Sequence, residues 1–258
     1  MIATAYQDKA DALENLIRTF NTEGEVLYSG RNEVRLMQLD GEPVVVKRFA
    51  RLSGFKAIIY TFFRKNKAQR AFEYGEELLR RGFLTPQPIA FFALKPGGLI
   101  SDTFYICKPT DWSSLEGLLT SSEHFDHQLA AAYARYVAKM HDAGILHKDM
   151  NPGNTRYQCA DNGAEKAEGE YQFQVIDINR MKITAPGGLT KAECMENLTH
   201  FWWLSPLYRY ILDEYAAARG WTAADKAKAI RVKDRHDAAW VRRKNILSLL
   251  KYGELEYT

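Results

Sequence analysis

The spacing of apolar and polar positions divides the chain into a strand-rich first part and a helix-rich second part. From Glu25 to about Phe49 the period is two. Val26, Tyr28, Val34, Leu36 and Leu39 mark half-buried strands, and Asp40-Gly41 supplies a hairpin turn. Val44-Val45-Val46 follows as a short buried strand. A helical stretch is then predicted from roughly Lys65 to Arg81, with Gly82 as its C-terminal cap. Pro88 to Leu94 and Thr103 to Cys107 read as two further strands, flanking the turn Lys95-Pro96-Gly97-Gly98. Beyond Pro109 the period changes. Leu129, Tyr133, Tyr136, Val137 and Met140 recur at helical spacing and predict a buried helix ending near Gly144. Tyr171 to Ile178 is a late β segment, preceded by a polar, glycine-containing loop between Ala160 and Glu170. The helix-rich remainder carries Trp202, Trp203, Leu207, Tyr210 and Ile211. Strands first, then helices with one late β insertion, predict an α+β fold in two lobes. The expected division is a β-rich N-terminal lobe with one long helix over 1–108 and a larger helical lobe over 109–258.

Composition narrows this picture only slightly. A chain of 258 residues, 46% apolar and 26% charged, suits one large domain or two lobes sharing a cleft. The net charge of +3 is too small to argue for nucleic acid. Cys107, Cys159 and Cys194 are odd in number and far apart, which speaks against a disulfide framework or a cysteine zinc site. Met1 to Asp8 lacks a basic segment leading into an apolar one, so no signal peptide is expected and the cytoplasm is the default compartment. The apolar cluster Phe55 to Phe63 contains Lys56 and is too short to span a bilayer.

The segment that carries chemistry is Ile145-Leu146-His147-Lys148-Asp149-Met150-Asn151-Pro152-Gly153-Asn154, an H-x-D-x-x-x-x-N pattern directly after a glycine-terminated helix. Phosphoryl transfer needs a carboxylate to orient and deprotonate the attacking hydroxyl, and oxygen ligands to hold magnesium against the phosphates. One short loop supplies both when an Asp and an Asn leave it at this separation. A second carboxylate is then expected at the end of a following strand, and Val175-Ile176-Asp177-Ile178-Asn179 provides it.

Met140 to Asp149 resembles the catalytic loop of the protein-kinase-like superfamily, and in particular that of the bacterial lipopolysaccharide core kinases that phosphorylate heptose or Kdo. The resemblance runs from about Tyr28 to Lys182. Ser29-Gly30-Arg31-Asn32-Glu33 is similar to the phosphate-side turn of that family, and Val44-Val45-Val46-Lys47 to its third-strand lysine. Lys67 to Glu73 is similar to the helix bearing the glutamate partner of that lysine, and Leu84-Thr85-Pro86-Gln87-Pro88 to its Pro-x-Pro entry to the fourth strand. The D-F-G of typical kinases stands here as Asp177-Ile178-Asn179, no G-x-G-x-x-G is present, and the A-P-E of protein kinases is absent. The resemblance implies a bilobal kinase fold with ATP in the cleft. The adenine would lie against the backbone near Cys107 and Lys108, and Gly30, Arg31, Asn32 and Lys47 would lie on the phosphates. Glu73 would orient Lys47, Asn154 and Asp177 would hold Mg2+, and Asp149 would be the base. It also implies a lipid-linked core sugar as acceptor.

Plainer readings stand beside these. Lys47 taken alone also reads as the solvated end of an edge strand, a reading that its place after three valines disfavours, and Glu76 and Glu77 rival Glu73 as its partner. His147 reads as a brace of the loop rather than a base. Two other classes fit the motifs: a kinase-like enzyme with a protein or small-alcohol acceptor, and a catalytically silent binding module of the same fold. Charge adds one further expectation. From Lys47 to Arg70 there are eight basic residues and no acid, interleaved with Phe55, Ile58, Ile59, Tyr60, Phe62 and Phe63. This pattern fits either a core helix with a solvated basic face or peripheral contact with anionic membrane. A second basic set from Arg231 to Lys244 lies in a helical tail.

Overall fold

The computed structural model describes residues 1–116, 124–159, 171–201 and 203–252. The loop expected between Ala160 and Glu170, and Trp202, lie outside the described residues. The chain forms two units, one of Met1–Trp112 with Gln174–Arg180, the other of Ser113–Phe173 with Met181–Thr258. The segment carrying Asp177 thus belongs with the N-terminal unit, a return that an expected break at 108/109 does not include.

The first unit is built on a five-stranded sheet. Its strands are β1 (Glu25–Ser29), β2 (Glu33–Leu39), β3 (Glu42–Phe49), β4 (Pro88–Ala93) and β5 (Thr103–Cys107), in the order β1-β2-β3-β5-β4. The pairs are antiparallel throughout. Asp40 and Gly41 both take positive φ (51° and 84°), the left-handed pair that a two-residue hairpin between right-twisted strands requires. Along β3, Val44 and Val46 point into a core shared with Met37, Leu39, Ile89 and Ile106, while Lys47 lies on the opposite face. Helix α1 (Ala10–Thr19), which the strand and helix patterns above did not include, closes that core with Leu13 and Leu16, followed by Phe20. Its apolar residues sit three and four apart, so the signal was present in the sequence.

Two more helices belong to this unit: α2 (Gly54–Phe62) and α3 (Lys67–Arg80). The predicted start of α3 at Lys65 moves to Lys67 because Asn66 caps it, accepting a bond from Gln69 N at 2.9 Å. Gly82 ends it with φ 79°, and Phe83 N donates to Leu78 O at 2.9 Å, as a left-handed helix stop provides. Gly75, inside α3, lets Pro88 and Ile178 approach so closely that a Cβ would sit 2.5 Å from the Pro88 ring. The late segment is tied to this unit by Val175 N donating to Leu84 O (3.1 Å) and Thr85 Oγ1 donating to Val175 O (2.8 Å).

The second unit centres on α4 (His127–Asp142), whose Leu129, Tyr133, Val137 and Met140 are buried as the spacing predicted. Gly144 follows with φ 75°, and a Cβ there would stand 2.4 Å from Ala185 O, so no other residue fits without displacing the backbone. Short strands follow. In chain order these are β6 (Ser113–Ser114), β7 (Ile145–His147), β8 (Thr155–Cys159), β9 (Tyr171–Val175) and β10 (Met181–Ile183). They form a sheet of order β6-β8-β9 and the pair β10-β7. β9 stops at Val175, short of the predicted Ile178, because Asp177 leaves the extended region and Ile178–Arg180 forms a 3-10 turn. Three helices complete the unit: α5 (Lys191–Leu198), α6 (Pro206–Ala218) and α7 (Ala223–Tyr252). Among the described residues no helix is long and apolar enough to cross a membrane.

Candidate active site

Lys47 sits on β3, which is paired on both sides, by β2 and by β5, so the edge-strand reading does not hold. Its Nζ donates to Asp177 Oδ1 at 2.5 Å, across 130 positions of sequence, and stands 5.2 Å from the Phe49 ring centre. Asp177 is held in the left-handed region at φ 53°, a conformation that Asp tolerates better than most residues. Asn179 Nδ2 donates to the same oxygen at 2.6 Å and is itself buried. The strand-end carboxylate is therefore fixed by its own local turn and neutralised by the lysine of a central strand.

The pairing expected between Lys47 and Glu73 is not the one the structure makes. Glu73 accepts from Lys65 Nζ (2.7 Å) and from Gln69 Nε2 (3.0 Å), its neighbours on and beside α3. Its rival Glu77 accepts from Arg80 and Arg81, which hold its carboxyl down to about 2. Glu76 is exposed. Partners within eight positions of sequence reach these carboxylates more easily than a lysine on the sheet does.

A second lysine, Lys67, also interacts with Asp177. Lys67, at the start of α3, stands 5.9 Å from the same Phe49 ring. Its ammonium is held below the usual lysine range, first by burial and then by Arg31 and Arg70. Lys67 and Arg70 were not singled out as site residues, because within a run of bases nothing in the spacing distinguishes those that turn inward. In the β1–β2 turn, Gly30 N donates to Asn32 O at 3.0 Å, and Asn32 Oδ1 accepts from Ala50 N at 3.1 Å. Asn32 thereby ties the turn to the end of β3 and leaves Nδ2 as the atom suited to an anion. At the other expected nucleotide contact, Cys107 is buried, which pushes its thiol up to about 12. Lys108 N donates to Gln87 O at 2.9 Å, so both contribute structure and backbone rather than reactive side chains.

In the second unit, the loop after β7 is closed on itself. Asn154 Nδ2 donates to Asp149 O (2.8 Å), Asn151 Nδ2 lies 3.3 Å from Asp149 Oδ1, and Asp149 N donates to His147 Nδ1 (3.2 Å). His147 is buried and braces the loop, with its proton on Nε2 when neutral. Behind it runs a buried chain of polar groups. Asn197 of α5 donates from Nδ2 to His147 O (2.8 Å), which leaves Oδ1 to accept from His141 Nε2 (2.9 Å), and His141 Nδ1 then accepts from Tyr215 of α6 (2.7 Å). Burial holds the His141 imidazole down to about 4, so it is neutral near pH 7. Its position on the apolar face of the helix, four residues after Val137, was the available signal. Asn197 and Tyr215 carried none, since their partners lie more than 45 positions away in the sequence.

A lysine on a central strand paired to a strand-end carboxylate, and a separate loop pinned through the His147 brace and the Asn154 amide, define a protein-kinase-like phosphotransferase. The family model described as the lipopolysaccharide kinase (Kdo/WaaP) family matches residues 52–232, and the chain belongs to that family of kinases. Among solved structures, one described as WaaP in complex with acyl carrier protein is 17% identical with a TM-score of 0.56. That likeness covers 97% of this chain and 94% of that one. The Rio2 kinase of Chaetomium thermophilum, in an ADP/Mg2+-phosphoaspartate complex, is 16% identical with a TM-score of 0.47, covering 88% and 75% respectively. No curated protein sequence matches.

Proposed function

We propose that this kinase transfers the γ-phosphoryl group of ATP to a hydroxyl of a lipopolysaccharide core sugar, Kdo or heptose. The observation that carries the phosphotransfer reading is the Lys47–Asp177 pair, which puts a cation for phosphate and a carboxylate for a hard cation on one face of the first unit. Family membership supports the acceptor class. Lys47, with Arg31 and Lys67 beside it, would hold the phosphates, and the adenine would lie against the backbone around Cys107 and Lys108. Asp177 and Asn154 offer only oxygen donors, which suits magnesium. That ion takes one or two protein ligands and fills its remaining positions with phosphate and water. When bound it supplies charge neutralisation across the β- and γ-phosphates.

Asp149, oriented through its own backbone contacts to Asn154 and His147, would accept the proton of the acceptor hydroxyl as the sugar oxygen bonds to the γ-phosphorus and the bond to the β-phosphate oxygen breaks. The cytoplasm, where ATP is available, is the compartment this reading requires. The test is phosphate incorporation into purified core lipopolysaccharide, followed by mass spectrometry. Asp149→Asn is expected to lower turnover by about 10²–10⁴-fold while nucleotide binding persists. Phosphate appearing on a protein and not on the sugar would overturn the acceptor, and undiminished turnover in Asp149→Asn would overturn the base.

A further inference from the structure

Helix α2 leaves an apolar stripe exposed. Phe55, Ile58 and Phe62 lie at helical spacing on one stripe, and they are 75%, 40% and 68% exposed. Phe63, just past the helix, is 79% exposed. Toward the protein, α2 turns small and polar residues together with the half-buried Ile59 and Tyr60. Ala57 is buried, and Thr61 donates to Ala57 O and accepts from Ile100 N at 2.9 Å. In a surface helix of a soluble protein the apolar stripe normally packs on the core. A contiguous exposed apolar patch of this kind marks an interaction surface. Around the rings stand Arg51, Lys56, Arg64 and Lys65, all exposed, in a run from Lys47 to Arg70 that contains no acid, although Lys65 reaches Glu73 (2.7 Å) and Arg51 stands 3.8 Å from Asp102. Beside the end of the helix is a cavity of about 400 Å³ whose lining includes Tyr60, Phe63, Arg64, Lys65 and Lys95.

We infer that α2 docks the protein on an anionic lipid bilayer, with its phenylalanines at the boundary of headgroups and acyl chains and its bases on lipid phosphates. Charge complementarity selects this occupant. A second copy meeting this patch about a two-fold axis would set like charges against each other. Phe55 protrudes separately from Phe62 and Phe63, whose rings meet edge to face with centres 6.5 Å apart, and a fluid interface accommodates them without needing matching pockets. The inference goes beyond the phosphotransfer reading, since docking requires neither nucleotide nor acceptor.

Co-sedimentation of the full chain with vesicles of phosphatidylcholine, with and without phosphatidylglycerol, tests it. Binding is expected only to the anionic vesicles, weakening as salt rises. Replacing Lys56, Arg64 and Lys65 together by Gln is expected to weaken it by about 100-fold at low salt. The separate variant Phe55→Ser with Phe62→Ser and Phe63→Ser is expected to abolish it at all salt concentrations. Both sets of residues are exposed, and circular dichroism would confirm that each variant is folded. Absence of vesicle binding by the wild type, or wild-type binding in either variant, overturns the inference. So does a wild-type dimer in solution that the phenylalanine variant converts to monomer, which would make α2 an interface between copies.

Discussion

Lys47 and Asp177 show how a half-buried ion pair is held in place by its surroundings. Their side chains are 17% and 34% exposed, so the pair is neither a freely hydrated surface contact nor a fully desolvated one. Asn179 and the left-handed turn keep the carboxylate in place, and Lys47 is anchored by strand pairing on both sides. Glu73 is differently situated, satisfied by Lys65 and Gln69. The two residues should therefore separate in kinetics. Lys47→Met is expected to lower kcat/KM by about 10- to 100-fold, the equivalent of losing a hydrogen bond to a charged group. Glu73→Gln should stay within about threefold, because its lost partners are exposed helix neighbours. Equal losses in steady-state assays would restore Glu73 as the partner of Lys47.

At the scale of elements, the loop after β7 depends on helices that do not contain it. α5 and α6 supply Asn197 and Tyr215, and His141 of α4 links them, so three helices share one buried polar chain ending on the loop backbone. Leaving any member unpaired would cost more than the bond itself contributes, since a buried polar group without a partner keeps its full desolvation penalty. The chain also makes stability depend on pH. His141 titrates near 4 in the folded protein, below its ordinary value of about 6.5. Between those values the unfolded state binds a proton that the folded state refuses, so stability falls as pH drops through that window. The loss amounts to roughly 3 kcal/mol across the window. Urea unfolding at pH 7 and pH 5 should show this fall in the wild type and a smaller one in His141→Gln. Parallel curves would remove His141 as the group responsible. α3 and α4 were legible in outline because their apolar positions repeat at helical spacing and end on glycine. α2 was legible only as a basic, aromatic stretch, since its stripe is equally compatible with facing inward or outward.

At the scale of the whole molecule, the proposed nucleotide binding is linked to folding. A ligand that binds only the folded chain stabilises it in proportion to its affinity, by about 2.7 kcal/mol at a hundred times Kd. ATP with magnesium should therefore raise the thermal midpoint more than ATP with chelator, and Asp177→Asn should erase that difference. Asn tolerates the left-handed backbone there, so the substitution tests the charge rather than the turn. Persistence of the magnesium-dependent part in Asp177→Asn would remove Asp177 from the metal.

The sequence by itself determined the strand and helix periods of both parts, the hairpin at Asp40-Gly41, the helix stops at Gly82 and Gly144, and the order in which Lys47, Asp149, Asn154 and Asp177 appear. These rest on local rules: side-chain alternation, backbone conformations that few residues adopt, and motif spacing within one loop. Tertiary structure alone decided which carboxylate meets Lys47, which bases of the Lys47–Arg70 run turn toward Asp177, and which face of α2 meets solvent. It also brought His141, Asn197 and Tyr215 together behind the loop after β7. Each of those outcomes depends on how an element is rotated and on which of several chemically equivalent groups arrives first within hydrogen-bond reach. Contacts across 50 to 130 positions leave no periodic trace in the chain.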